Sequence, residues 1–339
     1  MGVKMKEHDI RPDYMMKKIM DLAMIDINSI MQHKKDFIQV ACPACESNDY
    51  DFCFTKNGFH FVNCNQCETL YINPRPNPEL LNKFYNNSKE TQYWNQEVYP
   101  KNEKARRDKI FAPRAKKVVE LCLRYNVSTD VLLDVGAGFG TFCEEVSKLF
   151  FFKKVIAVEP SESLALSCQN KGIEVIQKPI EDLGLNPVNV ITNFELIEHL
   201  FWPKDFIISC ANALTTDGLL FLSTPNIKGF DLLTLKELSD NIVGPRHLNY
   251  FHPHSLKYLL EKCGFMVIEI LTPGKLDAEL VRKKILSNAF DISHNPFLKL
   301  ILIEQWNSLG NSFQAFLAEN LLSSHLWIVA QKKQYEPKA

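Results

Sequence analysis

A chain of 339 residues is long enough for one large core and a smaller module, since single domains run roughly 100–200 residues. Its 39 lysines and arginines nearly balance 40 aspartates and glutamates, which leaves no overall electrostatic footprint for duplex nucleic acid or an anionic membrane. No apolar run reaches the roughly eighteen residues of a membrane helix, no signal-peptide core opens the chain, and Lys6 stands where a myristoylation motif wants Ser or Thr, so the expectation is a cytoplasmic protein.

Met16, Ile19, Met20, Ala23, Ile27 and Ile30 recur near helical spacing, which predicts an amphipathic helix from Pro12 to about Gln32. Its methionines read as core or dimer contacts. Next come Cys42-Pro-Ala-Cys45, eighteen residues, and Cys64-Asn-Gln-Cys67. Each short pair sets two thiolates at the tip of a turn, and two tips can close a tetrahedron of sulfurs around zinc. Tyr50–Phe54 and Phe59–Val62 predict a hairpin between the pairs, turning at Asn57-Gly58. Four protein ligands leave no open coordination position, so Cys42, Cys45, Cys64 and Cys67 are expected to hold a structural zinc. The weaker alternative is a redox pair. Cys53 lies spare between the pairs, and the other five cysteines read as buried apolar residues.

A helix is predicted over Pro78–Tyr85, then a polar stretch with Tyr93 and Trp94, then a long helix from about Glu103 to Tyr125. The basic residues of that helix, among them Arg107 and Arg114, read as a solvated face. From Val131 the pattern alternates strand and helix, which predicts a doubly wound α/β sheet. Strands are expected at Val131–Asp134, Val155–Val158, Glu174–Ile176, Val188–Thr192, Gly218–Ser223 and Phe265–Leu271, with a last strand at His325–Gln331 after a helical insertion over Pro273–Ser324.

The first strand runs into Asp134-Val-Gly136-Ala137-Gly138-Phe-Gly140-Thr-Phe142. Glycines there let the backbone turn tightly and let a ligand lie almost against it. The nicotinamide fingerprint Gly-x-Gly-x-x-Gly fails, because its third glycine falls on Thr141 or, one register on, on Cys143. The pattern Asp-x-Gly-x-Gly-x-Gly instead resembles motif I of the class I S-adenosylmethionine-dependent methyltransferases. Glu159 ends the second strand, where an acidic side chain can accept both hydroxyls of an adenosine ribose.

The resemblance implies further cofactor contacts: Pro160 beside Glu159, Ile180 and Glu181 around the adenine, and Asn193, Phe194 and Glu195 at the methionine end. The segment Asn193–His199 looks like motif IV, often ending in Glu-His, so His199 is a candidate base or a local helix-start residue in equal measure. In the methyltransferases it resembles, the stretch Gly244–His254 folds over the acceptor, which makes His247 and Tyr250 candidate acid/base or hydrogen-bonding groups. His252 and His254 flank Pro253 and read as capping or surface groups.

Four cysteines ahead of the glycine motif make the chain similar to bacterial sugar C-methyltransferases, from which it departs after the sixth strand. The expected fold is α/β: a doubly wound, mostly parallel seven-stranded methyltransferase sheet preceded by a small zinc ribbon, with a helical insertion before the last strand. The expected organisation is an N-terminal helix over 1–36, a zinc ribbon over 37–75, a helical linker or cap over 76–127, the S-adenosylmethionine-binding domain over 128–272, the insertion over 273–324 and the last strand over 325–332. The expected function is methyl transfer from S-adenosylmethionine to a small-molecule acceptor such as a sugar or nucleotide-linked sugar, with no nucleic acid or membrane partner and with homodimerisation left open. O-methylation of a quinone-like metabolite, an NAD-type oxidoreductase and a non-catalytic binding protein that retains the fold are the alternatives.

Overall fold

The structure is a computed structural model and describes residues 7–184 and 186–333. The expectation of a missing leader and anchor rests on Met1–Lys6, which lie outside the described residues. Among the described residues no helix is long and apolar enough to cross a membrane. The chain divides into two compact units. One comprises residues up to Asn102, Thr224–Ser255 and Leu271–Leu326; the other comprises Glu103–Ser223, Leu256–Ile270 and the chain from Trp327.

In the first unit the helix Asp13–Met31 buries Met15 and Ile19 against Val98, Tyr93 and Trp94, while Met20 and Met24 face solvent. The predicted hairpin forms as β1 (Tyr50–Lys56) and β2 (Phe59–Cys64), and β3 (Leu70–Ile72) adds to it. The turn residues Asn57 and Gly58 both have positive φ, 51° and 83°, as a two-residue hairpin turn requires. The polar stretch before residue 103 is not irregular. It is helical over Lys89–Tyr93, widens to a π-turn over Trp94–Val98 and continues over Tyr99–Arg106. Its start is capped from a distance: Asp26 accepts hydrogen bonds from Ser88 Oγ (2.8 Å) and from the backbone N–H groups of Lys89 (3.1 Å) and Glu90 (3.0 Å). A carboxylate satisfying the orphan donors of a helix start is a strong local determinant. The insertion folds as helices Asp277–Leu286, Pro296–Lys299 and Trp306–Glu319, packed around Ala278, Val281, Leu302 and Leu317.

The second unit holds most of a seven-stranded sheet. Its strands are β4 (Val131–Val135), β5 (Lys154–Val158), β6 (Glu174–Ile176), β7 (Val188–Phe194), β8 (Leu214–Pro225), β10 (Phe265–Leu271) and β11 (His325–Lys332); β9 is the two-residue strand Asn249–Tyr250 of the first unit. The order across the sheet is β10-β11-β8-β7-β4-β5-β6. Pairings β4–β5, β5–β6, β4–β7 and β7–β8 are all parallel. Continuous burial of Leu132–Val135 and Val190–Asn193 follows from a strand covered on both faces. The strand order reverses between β4 and β7, and ligands of open parallel sheets sit at the carboxyl ends of such neighbours.

The helix preceding β4 is interrupted rather than continuous: a π-turn over Arg107–Phe111 separates Tyr99–Arg106 from Ala112–Arg124. Its basic residues are not all a solvated face. Arg107 forms ion pairs with Glu103 (2.9 Å), Glu144 (2.7 Å) and Glu145 (2.5 Å). Arg114 is buried, with its guanidinium 4.3 Å from the centre of the Phe194 ring. Spaced i, i+4, i+7 with Val118 and Leu121, it belongs to the buried stripe of its helix.

Candidate active site

The carboxyl ends of β4, β5 and β7 meet at the glycine loop. Gly136, Gly138 and Gly140 all adopt left-handed backbone, with φ of 75°, 56° and 71°. They are there for different reasons. A Cβ on Gly140 would stand 2.8 Å from Cys168 Sγ and 2.9 Å from Ile173, so that glycine lets the loop pack on the helix Glu162–Asn170. A Cβ on Gly136 would meet Leu196 at 2.9 Å. A Cβ on Gly138 would meet nothing within 4 Å, so its bareness opens space rather than filling it. Gly136 N–H donates to the Val158 carbonyl at 2.8 Å and Ala137 N–H at 3.3 Å, which ties the loop to the end of β5.

Glu159 completes that tie. Its two carboxylate oxygens accept from Gly138 N–H (2.9 Å) and Ser161 N–H (3.0 Å). Burial pushes its pKa up while the two backbone donors oppose the rise. Each oxygen keeps a second lone pair for another donor. Pro160 is exposed beside it, Ile180 is buried in the one-turn helix Ile180–Asp182, and Glu181 is exposed on the same turn.

At the end of β7, Asn193 is fully buried and its Nδ2 donates to the Val135 carbonyl at 3.0 Å. Its Oδ1 has no hydrogen-bond partner, although buried polar atoms are ordinarily satisfied. An acceptor held without a donor at a switch point fits a ligand N–H or O–H. Glu195 follows in left-handed backbone (φ 55°), fixed by its N–H to the Ser223 carbonyl (2.9 Å) and by Ser223 Oγ donating to Oε1 (2.6 Å). Phe194 stacks edge-on against Phe142 (4.9 Å) and leans on Trp327 (5.2 Å), under Arg114.

Two of the predicted cofactor residues thus act from behind the cradle. Asp134 is 3% exposed; its oxygens accept from Thr192 Oγ1 (2.6 Å) and Cys143 Sγ (3.5 Å), and burial raises its pKa to about 6. Phe142 is a core residue at 2% exposure. His199 ends the short turn Ile197–His199, with Nε2 3.8 Å from the buried carboxylate of Glu198. In the other unit, the Tyr250 hydroxyl accepts from Val243 N–H (2.8 Å) and donates to the Asn241 carbonyl (3.4 Å), so that phenol is occupied in holding its own loop. His247 lies 5.8 Å from the Tyr250 ring, centre to centre. Sequence reasoning missed Arg114 and Ser223. The i+4, i+7 apolar spacing was a usable signal for Arg114; nothing local marked Ser223.

The cysteines form a second centre, in the first unit. The two turns are built alike: Glu46 N–H donates to the Cys42 carbonyl and Glu68 N–H to the Cys64 carbonyl, both at 2.9 Å, and both glutamates are left-handed (φ 64° and 57°). Sγ separations are 3.4 Å for Cys42–Cys67 and for Cys45–Cys64, and one sulfur of each residue lies within 4.8 Å of the others. Zn–S bonds of about 2.3 Å at tetrahedral angles put sulfurs about 3.8 Å apart, so the donor set fits zinc. The hydrogen bond with Cys42 pulls the Cys67 thiol down to about 5, while the same contact and burial push Cys42 up.

Residues 104–270 match the protein family described as a methyltransferase domain. The glycine loop and Glu159 lie within those matched residues. It is 30% identical over 139 residues to a probable S-adenosylmethionine-dependent methyltransferase of Mycobacterium tuberculosis, covering 40% of this chain and 48% of that protein. It is 28% identical over 178 residues to a ubiquinone biosynthesis O-methyltransferase of Caulobacter vibrioides, covering 49% of this chain and 63% of that one. The chain therefore spans about half to three-fifths of the length of these relatives. A solved S-adenosylmethionine-dependent methyltransferase from Clostridium acetobutylicum superposes with a TM-score of 0.46 at 12% identity, covering 74% of this chain and 99% of that one.

Proposed function

We propose that the chain transfers a methyl group from S-adenosylmethionine to a small-molecule acceptor, and that the acceptor is a sugar or nucleotide-linked sugar. The observation that carries the methyl-donor assignment is the bond between Glu159 and the bare Gly138 at the switch point. It sets a carboxylate with spare lone pairs beside open space. The four-cysteine knuckle ahead of the glycine motif supports the sugar reading. The Caulobacter relative, named as a ubiquinone biosynthesis O-methyltransferase, supports a second reading, O-methylation of a quinone-like acceptor.

When bound, S-adenosylmethionine supplies an electrophilic methyl and a neutral thioether leaving group. In this reading Glu159 grips the ribose hydroxyls, Asn193 Oδ1 and Glu195 receive the polar groups of the methionine end, and Ile180 and Glu181 flank the base. The acceptor's proton passes to an imidazole nitrogen, with His199 and His247 as the candidate bases and Tyr250 as a positioning group. Alignment of donor and acceptor accounts for about 7–11 kcal/mol of barrier lowering, whereas a placed base adds roughly 10²–10⁴-fold, so alignment dominates. The four cysteines hold zinc as a structural ion in this reading, since they fill its coordination.

Incubation with methyl-labelled cofactor and a metabolite extract tests the activity: a labelled sugar supports the first reading, a labelled quinol the second, and no labelled product sinks both. Glu159→Gln isolates the cradle. Its amide N–H₂ must face either Gly138 N–H or Ser161 N–H, donor against donor, and the charge is gone. Cofactor affinity measured by calorimetry should fall about 10–100-fold, the loss of one or two charge-assisted hydrogen bonds. Unchanged affinity would remove Glu159 from the site.

A further inference from the structure

The cysteine knuckle carries more than its own hairpin. Its sheet has the order β9-β3-β2-β1, and the outer strand comes from the loop that bears His247. Asn249 pairs with Tyr71 and Tyr250 with Leu70, antiparallel, and Ile72 N–H donates to the Leu248 carbonyl at 3.0 Å. At the far end of that loop, buried His252 places Nε2 2.8 Å from the carbonyl of Cys67, 185 residues away in the chain. A carbonyl oxygen only accepts, so Nε2 carries the proton and the imidazole is the donor. Sequence reasoning had His252 as a cap or surface group. It is buried rather than on the surface, its backbone N–H donates to Ser255 Oγ (3.1 Å) at the start of the helix Pro253–Lys262, and its ring is free to reach the Cys67 turn.

We propose that the metal-bound knuckle positions the Val243–His252 loop, with His252 as the tie between the loop and the metal turn. The proposal rests on the zinc and methyltransferase readings and adds a purpose for the knuckle within them. Cys67 is a ligand, and only Glu68 and Thr69 separate it from β3. A shift of the Cys67 turn on metal loss therefore moves both things the loop leans on: the carbonyl that receives His252 and the strand that pairs with Asn249 and Tyr250. Other contacts reinforce the same register. Arg75 Nη1 donates to Asn249 Oδ1 at 3.2 Å, and Gly244 lies so close to β2 that a Cβ would stand 2.8 Å from the Phe59 ring. The metal then acts on the loop at a distance from its own ligands, by fixing the geometry of the turn and strand that hold it.

The test is hydrogen exchange of the full-length protein, read by mass spectrometry, with zinc counted per chain. In zinc-loaded His252→Phe, which keeps a packed ring but has no donor, the 243–252 peptide should exchange at least about 10-fold faster while zinc stays at one per chain. His252→Gln, whose amide N–H can reach a carbonyl, should restore most of the protection. Chelated wild type should lose protection over the same peptide by a larger factor, with the 131–142 glycine-loop peptide unchanged. Equal protection of 243–252 in wild type, His252→Phe and the chelated protein would overturn the proposal; so would protection restored by Phe as well as by Gln, which would reduce His252 to packing. Failure of the underlying readings shows separately. A purified chain without zinc refutes the metal reading, and a wild type that binds no S-adenosylmethionine in calorimetry refutes the methyltransferase reading, while the His252 variants still report on the tie.

Discussion

The glycine loop and the cysteine knuckle are both tight turns with left-handed residues, and they solve opposite problems. In the loop the left-handed positions are glycines, and at Gly138 the missing side chain leaves open space, which in the proposed reading lets backbone and ligand come close. In the knuckle the left-handed positions are Glu46 and Glu68, full-sized residues, which fits the zinc reading, where the guest is reached by cysteine sulfurs at the ends of side chains and the backbone can stay bulky. One site is therefore made by leaving atoms out and is sensitive to added volume. The other brings four cysteine sulfurs together and, in the zinc reading, is sensitive to loss of its ion.

The largest break in this comparison is Cys64→Ser. Structural zinc in small thiolate sites binds with an apparent free energy on the order of 10–16 kcal/mol, so losing one of four ligands should cost most of the metal and melt the β1–β3 hairpin region. Metal content near zero and loss of exchange protection over residues 42–72, with the β4 and β7 peptides still protected, is the expected result. Full zinc occupancy at unchanged zinc affinity in this variant would take Cys64 out of the ligand set. Next in size is Gly138→Val. A Cβ at Gly138 meets nothing within 4 Å, so the first added atom enters open space without a clash, and a left-handed non-glycine residue costs about 1–3 kcal/mol of backbone strain. The ligand cannot share that space, so cofactor affinity should drop more than about 100-fold while zinc content and the knuckle stay intact. A folded variant that binds as the wild type does would place the ligand elsewhere.

The order of strength in these variants matches what was legible in the sequence. Buried parallel strands are short unbroken apolar runs, and two cysteine pairs at ribbon spacing are a local code, so the seven-stranded sheet and the thiolate cluster were both readable. What was not readable depends on partners distant in the chain. The helix at Lys89 has a local N-cap in Ser88, whose Oγ accepts from Thr91 N–H (3.0 Å). The Asp26 carboxylate that binds Ser88 and the N–H groups of Lys89 and Glu90 is 62 residues away from Ser88, and nothing local announces it. The β9 strand is two residues long and exists only because β3 offers an edge. Arg114 looked like surface charge until its ring partners Phe194 and Trp327 were in place. At the site itself the glycines and Glu159 stood out in sequence, whereas the inward turn of Asp134 follows from its bonds to Thr192 and Cys143 and from the covering of both sheet faces.

Acid sharpens the contrast with the smallest of the three effects. Lowering the pH protonates thiolates in competition with zinc, so the knuckle weakens as pH falls. The cradle should respond in the other direction, through Asp134. Its carboxyl titrates near 3.9 in an open chain and at about 6 in the fold, where burial opposes its charge. Between those values the folded state holds a proton that the unfolded state has released, so stability falls as pH rises through the window and the full cost is present above about pH 6. The difference of roughly two pH units corresponds to about 3 kcal/mol, an upper figure because Thr192 and Cys143 relax with the charge. Asp134→Asn keeps an oxygen for Thr192 and removes the titration. Exchange protection of the Val131–Val135 amides, corrected for intrinsic rates, should therefore decline from pH 4 to pH 7 more steeply in the wild type than in the variant, by up to about two orders of magnitude. Parallel profiles in the two proteins would show that Asp134 is already ionised at no cost, and that the polar floor beneath the glycine loop is wetter than its 3% exposure implies.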